Sequence, residues 1–506
     1  MTDCKDFQLD FGTGGLRGVL GDGPGRMNPV TVGRAAQGTA AWLNAACPSG
    51  TRPLSAVVAC DTRRMSREFA ERTARVFSGN GIECYLFPRP VPTPALSFAV
   101  RALRAGAGVC ITASHNPAEY NGYKVYGADG GQITLRDAEA IAGHIREGAE
   151  VKTSDTLVKT VPETVLPAYL DAVEALRLTK KPCDNLKVAY TPLNGAGLEC
   201  VTEILRRLGA ECVVVPEQAA PDGAFPTCPR PNPEEEDALE LGLRLCLEQG
   251  CDLLLATDPD CDRVGVAVSR QGTIRRLSGN EVGVLLLEYI LRSKKEAGSL
   301  PGKPVAVKTV VTTPMARAVC DRYGAELRDV LTGFKYIGEQ IGRLERDGEA
   351  GRFVFGFEES CGYLSGVHAR DKDAVNAAML VCELAADCKR RGVTLADAIE
   401  ELYGRYGRWT TRLRSVEAAP EAVGRLRQNP PETLGGHPVL KVTDYLDGIG
   451  GLPPADMLSF ELEGGTVVIR PSGTEPKVKV YTMVRGIEYA EIDAGLQRLY
   501  LGRDTP

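Results

Sequence analysis

Residues 55–63 read SAVVACDTR, a short apolar run that ends in a polar loop. The same pattern returns as LKVAYTPLNGAG at 186–197 and as PVAVKTVVTTP at 304–314, and a helix-compatible segment follows each run. Short apolar strands that alternate with longer helical segments are typical of α/β domains with a largely buried sheet. The three runs begin roughly 120 residues apart, which is far longer than a solenoid repeat. The sequence therefore predicts three related α/β domains.

The end of the chain follows a different pattern. After about residue 409 come the short runs HPVLKVTDYL, LSFELEGGTVVIRP and KVKVYTMV, and then a helical stretch, EYAEIDAGLQRLY. This order predicts a smaller C-terminal α+β domain with an antiparallel sheet. A chain of 506 residues is also too long for one hydrophobic core. The predicted domains span residues 1–184, 185–302, 303–408 and 409–506.

Composition and charge narrow the class of protein. Sixty basic residues against sixty-six acidic ones give a formal net charge of -6 without a long Lys/Arg run, so we expect no nucleic-acid partner. The first residues lack the basic start and apolar core of a signal peptide, and no stretch approaches about 18 uninterrupted apolar residues. We expect a cytoplasmic protein without a membrane partner, as a monomer or weak dimer. The scattered cysteines contain no CxxC pair, which predicts buried reduced thiols.

The loop TASHNPAEYNGYK at 112–124 contains the first candidate for chemistry, Ser114. It follows the apolar run GVCIT, so Ser114 is predicted at the end of a strand, where α/β proteins build their sites. A hydrolase elbow requires GxSxG, which is absent here. We expect the side chain of the adjacent His115 to diverge from Ser114 and to be poorly placed as its base. Taken alone, the motif is equally consistent with an ordinary turn.

The loop DPDCDR, Asp258 to Arg263, follows the apolar run CDLLLAT. Three carboxylates at i, i+2 and i+4 repel one another unless a cation lies between them. Oxygen ligands alone favour Mg²⁺ over Mn²⁺ or Ca²⁺. An EF-hand is excluded, because its sixth and twelfth positions hold Arg263 and Ser269. A phosphotransferase of the haloacid-dehalogenase type is disfavoured by Asp262 at a Thr/Val position, and a surface acidic turn is the plainer alternative.

Two further loops have the composition of anion sites. RPSGTEPK, Arg470 to Lys477, lies between two strand-like runs and combines backbone N–H groups, hydroxyls and a guanidinium, which is typical of a phosphate cradle. FGTGGLRG near the N-terminus combines four glycines with Arg17. Each of these loops is also consistent with an ordinary turn.

In the loop GFEESCGY at 356–363, Glu358 and Ser360 lie on one side if the segment is extended, which suits sugar hydroxyls. The chain contains no Walker GxxxxGK[ST] and no kinase HRD and DFG set, so a nucleotide donor has no obvious site. The protein itself would then carry the phosphate, and Ser114 is the available carrier. Together the loops predict phosphoryl transfer.

Taken in order, FGTGGLRG, TASHNP, TDPDCDR, GFEES and RPSGTEPK resemble the signature loops of the α-D-phosphohexomutase superfamily over nearly the whole chain. NGYKVYGADGG and LTGFKYIGEQ are most similar to its bacterial phosphoglucomutase branch, the phosphoglucomutase/phosphopentomutase type. One departure is Gly14, where many relatives in this branch carry alanine. The resemblance implies four domains around a central cleft, the last of which closes over the substrate phosphate.

The resemblance also implies a role for each motif. The implied catalytic residues are Ser114 as the phosphoserine, Lys124 and His115 as general acid/base groups, and Arg17 and Arg263 beside the transferring phosphate. One Mg²⁺ would be held by Asp258, Asp260, Asp262 and an oxygen of the Ser114 phosphate. The sugar and its second phosphate would be bound by Thr332, Gly333, Glu358, Ser360, Lys372, Arg470, Ser472, Gly473 and Thr474.

The implied reaction interconverts glucose 1-phosphate and glucose 6-phosphate through glucose 1,6-bisphosphate, which also serves as activator. A phosphomannomutase or phosphopentomutase of the same superfamily is the alternative, since the motifs need not reveal how the sugar is discriminated at C2. A serine hydrolase and a non-enzymatic sugar-phosphate-binding protein are more distant alternatives. The binding protein would gain nothing from Ser114 and three metal-ligand aspartates.

Overall fold

The computed structural model describes residues 9, 11–12, 14–46, 54–270, 272–417, 421–471 and 477–501. In this part of the chain, four sheets follow one another along the sequence. The first three are mixed sheets packed with helices, and the fourth is antiparallel. The predicted fold class, three α/β domains followed by an antiparallel C-terminal domain, is therefore confirmed.

The first domain is built on a six-stranded sheet with helices on both faces. Its strands are β1 (Gly15–Val19), β2 (Ser55–Cys60), β3 (Glu83–Leu86), β4 (Ala107–Ile111), β5 (Tyr120–Gly127) and β6 (Val158–Thr160). Its helices are α1 (Pro29–Ala46), α2 (Ser66–Gly79), α3 (Thr93–Ala102), α4 (Leu135–Arg146) and α5 (Val165–Glu174). The strand order is β1-β5-β4-β2-β3-β6, with β4, β2, β3 and β6 parallel.

The apolar run SAVVAC forms β2 in the interior of this sheet. Ala56 and Val58 lie in one core with α1, α2 and α4, whereas Val57 and Ala59 lie in a second core with α3 and α5. Because both faces of the strand are covered, no polar alternation is required, which explains the uninterrupted apolar sequence.

The second domain has a five-stranded sheet of order β11-β10-β9-β7-β8. Its strands are β7 (Lys187–Thr191), β8 (Glu211–Val214), β9 (Leu253–Thr257), β10 (Val264–Arg270) and β11 (Thr273–Leu277). Its helices are α6 (Leu198–Leu208), α7 (Pro216–Ala219) and α8 (Glu236–Glu248). The sharp turn between β9 and β10 contains the three aspartates 258, 260 and 262.

The third domain has a four-stranded sheet of order β13-β12-β14-β15. Helix α9 (Gly279–Glu296) leads into it from the second sheet and packs Gly283 against the ring of Phe357. The strands are β12 (Val305–Thr309), β13 (Glu326–Val330), β14 (Phe353–Glu358) and β15 (Gly362–Leu364). The helices are α10 (Met315–Tyr323), α11 (Phe334–Arg346), α12 (Ala374–Arg390) and α13 (Leu395–Tyr406), with a 3-10 turn at Ala350–Arg352.

The C-terminal domain has an antiparallel sheet of order β16-β21-β20-β19-β18-β17. Its strands are β16 (Thr410–Glu417), β17 (Thr433–Leu434), β18 (His437–Asp444), β19 (Leu458–Leu462), β20 (Gly465–Pro471) and β21 (Lys477–Val484). Helices α14 (Glu421–Gln428) and α15 (Tyr489–Leu501) accompany this sheet. The domain has its own core and also packs Val468 and Met483 against Val311 and Leu331 of the third domain.

The first three domains share one continuous apolar cluster, which fixes their relative positions. As a result the loops that follow β4, β9 and β14 face one another, as the carboxyl ends of strands do in α/β sites. The fourteen described cysteines are free thiols, and all but Cys212 are buried. Among the described helices, none is both long enough and apolar enough to span a membrane.

Candidate active site

A cleft of about 1080 Å³ lies between the four domains. It brings together most of the residues to which the sequence assigned a role. Those that line it are Arg17, Ser114, His115, Lys124, Asp262, Arg263, Thr332, Gly333, Glu358, Ser360, Lys372 and Arg470. Asp258 and Asp260 are completely buried next to them. Ser472, Gly473 and Thr474 lie outside the described residues.

Ser114 lies three residues beyond β4 and is only 4% exposed. Its backbone has a φ of 53°, the left-handed region, which costs a non-glycine residue about 1–2 kcal/mol. Its amide donates to the hydroxyl of Thr112 at 2.8 Å, and its Oγ donates to Asp258 Oδ2 at 2.7 Å. The strained backbone therefore aims the hydroxyl directly at the acidic loop of the second domain.

The position of His115 differs from the prediction. Its Nδ1 lies 3.2 Å from Ser114 Oγ, so the expectation that the two neighbouring side chains diverge is wrong. The left-handed conformation of Ser114 is the reason, because it turns the chain so that both side chains face the same way. Burial lowers the pKa of His115 well below its ordinary value, and the charges of Arg263 and Arg17 add to the shift. A neutral ring keeps one nitrogen free to accept a proton.

The three aspartates form the one cluster of candidate metal ligands found among the described residues, with oxygens within 4.8 Å of one another. Burial, together with the charges of Asp260 and Asp262, raises the pKa of Asp258 well above its ordinary value. Asp260 Oδ1 and Asp262 Oδ1 are buried and accept no hydrogen bond from the described residues. Such oxygens are costly to bury without a partner. The donor set therefore fits a hard divalent cation.

Two lysines also neutralise this acidic loop. Lys124 Nζ lies 2.7 Å from Asp260 Oδ2 and 3.3 Å from Asp262 Oδ2, and Lys372 Nζ lies 3.1 Å from Asp262 Oδ2. Burial alone would lower the pKa of each ammonium. The carboxylates of Asp260, Asp262 and Asp371 nevertheless raise the pKa of Lys124 above its ordinary range, and those of Asp262, Asp371 and Glu358 do the same for Lys372. In this arrangement both lysines are cations and hydrogen-bond donors.

Two arginines border the cleft beside Ser114. Arg263 Nη1 donates to Glu234 Oε2 at 3.3 Å, and Arg17 Nη1 donates to Asn116 Oδ1 at 3.1 Å. A carboxylate or amide thus orients each guanidinium while the rest of its donors can face a ligand. Positive groups placed in this way can balance the charge on the equatorial oxygens of a phosphoryl group.

The third domain contributes a polar wall to the cleft. Gly333 has a φ of 121°, which favours glycine, and its N–H donates to Glu358 Oε1 at 2.9 Å. Burial raises the pKa of Glu358 to about 7, although the ammonium of Lys372 opposes the shift. The hydroxyl of Thr332 is buried and has no hydrogen-bond partner among the described residues. On the opposite wall, Arg470 Nη2 donates to the hydroxyl of Tyr481 at 3.1 Å.

Several residues that support the site were not identified from the sequence. Thr93, the first residue of α3, donates through its N–H to the carbonyl of Asp260 at 2.8 Å and through its hydroxyl to Asp260 Oδ2 at 3.0 Å. The hydroxyl of Tyr126 donates to Asp371 Oδ2 at 2.9 Å, and Asp371 Oδ1 accepts from Lys372 Nζ at 2.9 Å. These partners lie more than 100 residues apart along the chain, except for the adjacent Asp371 and Lys372. In the sequence, the only indication of these supporting contacts was that Thr93 begins a helix in a Pro-rich segment.

The Glu358 carboxyl leads to a prediction about stability. Its pKa rises from 4.5 to about 7 on folding, so only the unfolded chain releases the proton as the pH rises through this window, and stability falls. Glu358→Gln should therefore stabilise the protein at pH 8 by about 1–3 kcal/mol, and the gain should nearly vanish below about pH 4.5. Thermal unfolding of the variant and the wild type, at pH 8 and below about pH 4.5, measures the difference. Glu240→Gln, on the exposed side of α8, is the control; an equal effect in the two variants would contradict the assignment.

Comparisons with known proteins agree with this architecture. Models of the phosphoglucomutase/phosphomannomutase family match the chain as α/β/α domain I at residues 8–152, domain II at 167–272, domain III at 278–406 and the C-terminal domain at 412–492. A phosphoglucomutase of Staphylococcus aureus (strain bovine RF122 / ET3-1) is 33% identical over 512 residues, covering 96% of this chain and 91% of that protein. A Haemophilus influenzae protein named "Probable phosphomannomutase" is 36% identical over 498 residues, covering 94% and 97%.

A crystal structure from Thermus thermophilus, of a protein given the provisional name phosphomannomutase, superimposes with a TM-score of 0.76. It shares 26% sequence identity and covers 97% of this chain and 98% of that one. Fold, cleft and relatives together define an enzyme of the phosphotransferase class. The chain belongs to the phosphoglucomutase/phosphomannomutase family and is a phosphohexomutase, which confirms the resemblance to the α-D-phosphohexomutase superfamily.

Proposed function

We propose that the enzyme is a phosphoglucomutase that interconverts glucose 1-phosphate and glucose 6-phosphate, with Ser114 as the phosphate carrier. The observation that carries this proposal is the position of Ser114 Oγ in the cleft, 2.7 Å from Asp258 Oδ2 and bordered by cationic side chains. A serine that stores a phosphoryl group needs positive charge beside the phosphate oxygens, which Arg17, Lys124 and Arg263 can supply.

We assign one Mg²⁺ to Asp258, Asp260, Asp262 and an oxygen of the Ser114 phosphate. The two buried carboxylate oxygens without hydrogen-bond partners support this choice. When bound, the ion would act as a Lewis acid that withdraws charge from the phosphoryl oxygens.

The reaction then proceeds by two transfers of opposite direction. The free hydroxyl of a sugar monophosphate attacks the phosphorus on Ser114, the bond from phosphorus to Ser114 Oγ breaks, and glucose 1,6-bisphosphate results. We assign the acid/base roles to His115 and Lys124, which both line the cleft: the neutral ring of His115 accepts the hydroxyl proton, and the ammonium of Lys124 acts as the proton donor. Arg17 and Arg263 hold the transferring group in line. The bisphosphate turns end for end and returns its other phosphate to Ser114, so that no phosphate is consumed, and added bisphosphate serves as activator.

The far wall of the cleft supports the recognition of the sugar. Glu358 can accept hydrogen bonds from ring hydroxyls, and Ser360 can donate to them. The hydroxyl of Thr332, which has no hydrogen-bond partner among the described residues, lines the same cleft as Gly333 and Lys372. We assign Arg470 to the phosphate that does not react, together with Ser472, Gly473 and Thr474, which lie outside the described residues. These contacts would hold either end of the bisphosphate while the other end reacts.

A second candidate is a phosphomannomutase, favoured by the 36% identity to the Haemophilus influenzae protein of that name. Glucose and mannose differ only at C2, and Glu358 and Ser360 are expected to read hydroxyls that the two sugars share. A phosphopentomutase activity is the third possibility and would require the same carrier serine.

A coupled assay with glucose 1-phosphate, mannose 1-phosphate and ribose 1-phosphate, each with a trace of its bisphosphate, tests the proposal. We expect glucose 1-phosphate to have the highest kcat/KM, by roughly tenfold or more over the others, because a cleft group that hydrogen-bonds a hydroxyl placed as in glucose would be left unpaired by the other sugars. A higher value with mannose 1-phosphate would instead establish a phosphomannomutase. The absence of turnover with all three sugars would contradict the proposed class of substrate.

A further inference from the structure

A buried arginine that was not identified from the sequence donates hydrogen bonds to the Ser114 loop. Arg63 lies three residues after β2, and its side chain is 0% exposed. Its guanidinium donates to four backbone carbonyls, three in the loop and one at the first residue of β5. These are the carbonyls of Ser114 at 2.5 Å, of Asn116, of Pro117 at 2.8 Å and of Tyr120 at 3.1 Å. A planar fork with five donors in fixed directions suits such a set of acceptors.

Arg63 is itself fixed on several sides. Its Nε lies 3.3 Å from Asp61 Oδ2, and Asp61 Oδ1 accepts from Ser66 Oγ at 2.7 Å and from the Arg63 amide at 2.9 Å. The ring of Phe225, from the second domain, lies 5.0 Å from the guanidinium carbon. The backbone of Gly223 is so close that an added Cβ would lie 2.4 Å from the nitrogen of Arg64. A loop of the second domain therefore covers the guanidinium.

Arg63 is not among the groups that we expect to contact the substrate. It is not one of the described residues that line the cleft, yet it binds the carbonyl of Ser114 itself. That carbonyl belongs to the residue with a φ of 53°, whose Oγ points at Asp258. Loss of the fork would let Ser114 relax toward an ordinary backbone conformation and would move its Oγ away from Asp258.

We propose that Arg63 is a positioning residue for phosphoryl transfer, because it holds Ser114 in the left-handed conformation that aims Oγ at the acidic loop. The inference rests on the proposed function, since it requires Ser114 to carry the phosphate. Phe225 takes part by stacking on the guanidinium, so that the domain with the aspartates also steadies the serine loop of its neighbour.

Arg63→Lys tests this role, because lysine keeps the charge but loses the fork. We expect kcat to fall by about 10²-fold with KM within threefold of the wild-type value, since a misplacement of about 1 Å can have this effect. The rate at which Ser114 takes phosphate from glucose 1,6-bisphosphate, followed by rapid quenching and phosphopeptide analysis, should fall by the same factor. Arg64→Lys, at the exposed neighbouring position, should behave as wild type.

The results distinguish a failure of the proposed function from a failure of the role of Arg63. Wild-type protein that takes up no phosphate on Ser114 would overturn the proposed function. Wild-type uptake that is matched by Arg63→Lys would overturn the role of Arg63 alone. If Arg63→Lys does not fold, Phe225→Leu decides instead, because it keeps an apolar contact but removes the ring. A fall in kcat of about threefold or more at unchanged KM and unchanged Tm would support the role, and a wild-type kcat would overturn it.

Discussion

Replacement of Ser114 by alanine is expected to reduce mutase turnover by about 10⁴-fold or more, because the covalent carrier is lost and the remaining groups cannot replace it. Binding of glucose 6-phosphate should persist within a few fold of the wild-type Kd. The groups that we assign to the sugar and the second phosphate, Glu358 and Arg470 among them, lie on other walls of the cleft. The coupled assay measures turnover, and isothermal titration calorimetry measures binding.

Ser299→Ala is the matched control, since it makes the same change at an exposed loop position. Turnover of the Ser114 variant at the wild-type level would refute the phosphoserine mechanism. Phosphopeptide mapping of the wild-type protein provides an independent test. Phosphate on Ser114 supports the mechanism, whereas phosphate on Asp258 would point to the haloacid-dehalogenase type of chemistry instead.

The parts of the fold that could be predicted are those whose signal is local. The runs at 55–63, 186–197 and 304–314 contain β2, β7 and β12, because a strand covered on both faces is mostly apolar. The antiparallel C-terminal sheet was also predictable from a local signal, because its strands appear in the sequence as several short runs separated by turn residues. Ser114 could be placed at the carboxyl end of its strand in the same way. Because Ser114 and Asp258 follow strands of different sheets, only the family resemblance implied that they lie close together.

The contacts that could not be predicted depend on how the domains pack. Thr93 and Asp260 are separated by 167 residues, and no local pattern links them. The left-handed backbone of Ser114 is equally hidden, because a Ser-His-Asn sequence does not require it. It is imposed by the contacts of Thr112 and Arg63, and it brings His115 within 3.2 Å of Ser114 Oγ. The wrong expectation for His115 therefore has its origin in tertiary structure.

Charge explains why the acidic loop is paired with two lysines and could also hold the metal ion that we propose. Asp258, Asp260 and Asp262 are at most 1% exposed, so their mutual repulsion is weakly screened. Lys124 and Lys372 contact Oδ2 of Asp260 or Asp262, whereas Oδ1 of both residues accepts no hydrogen bond from the described residues, and Arg263 Nε lies 3.9 Å from Asp262 Oδ1. The two sets of oxygens can thus serve different purposes, one holding the lysines and the other facing a cation.

Asp260→Asn tests this division directly, because the amide keeps the shape of the side chain but removes its charge. We expect kcat to fall by about 10²–10³-fold, since a metal ion stabilises the transition state by several kcal/mol and each 1.36 kcal/mol corresponds to tenfold. The Mg²⁺ concentration for half-maximal activity should rise by at least about tenfold. The variant also removes one of the two charged partners of Lys124, the one at 2.7 Å, which adds to the loss of rate but does not by itself change the response to metal.

The response to Mg²⁺ is therefore the decisive measurement, and a titration of activity against Mg²⁺ in both proteins provides it. Asp184→Asn, at an exposed position between the first two sheets, should leave the titration unchanged. Circular dichroism must first show that the Asp260 variant is folded. A wild-type dependence on Mg²⁺ in that variant, even at a reduced rate, would remove Asp260 from the metal site and leave it as a partner of Lys124 and Thr93 only.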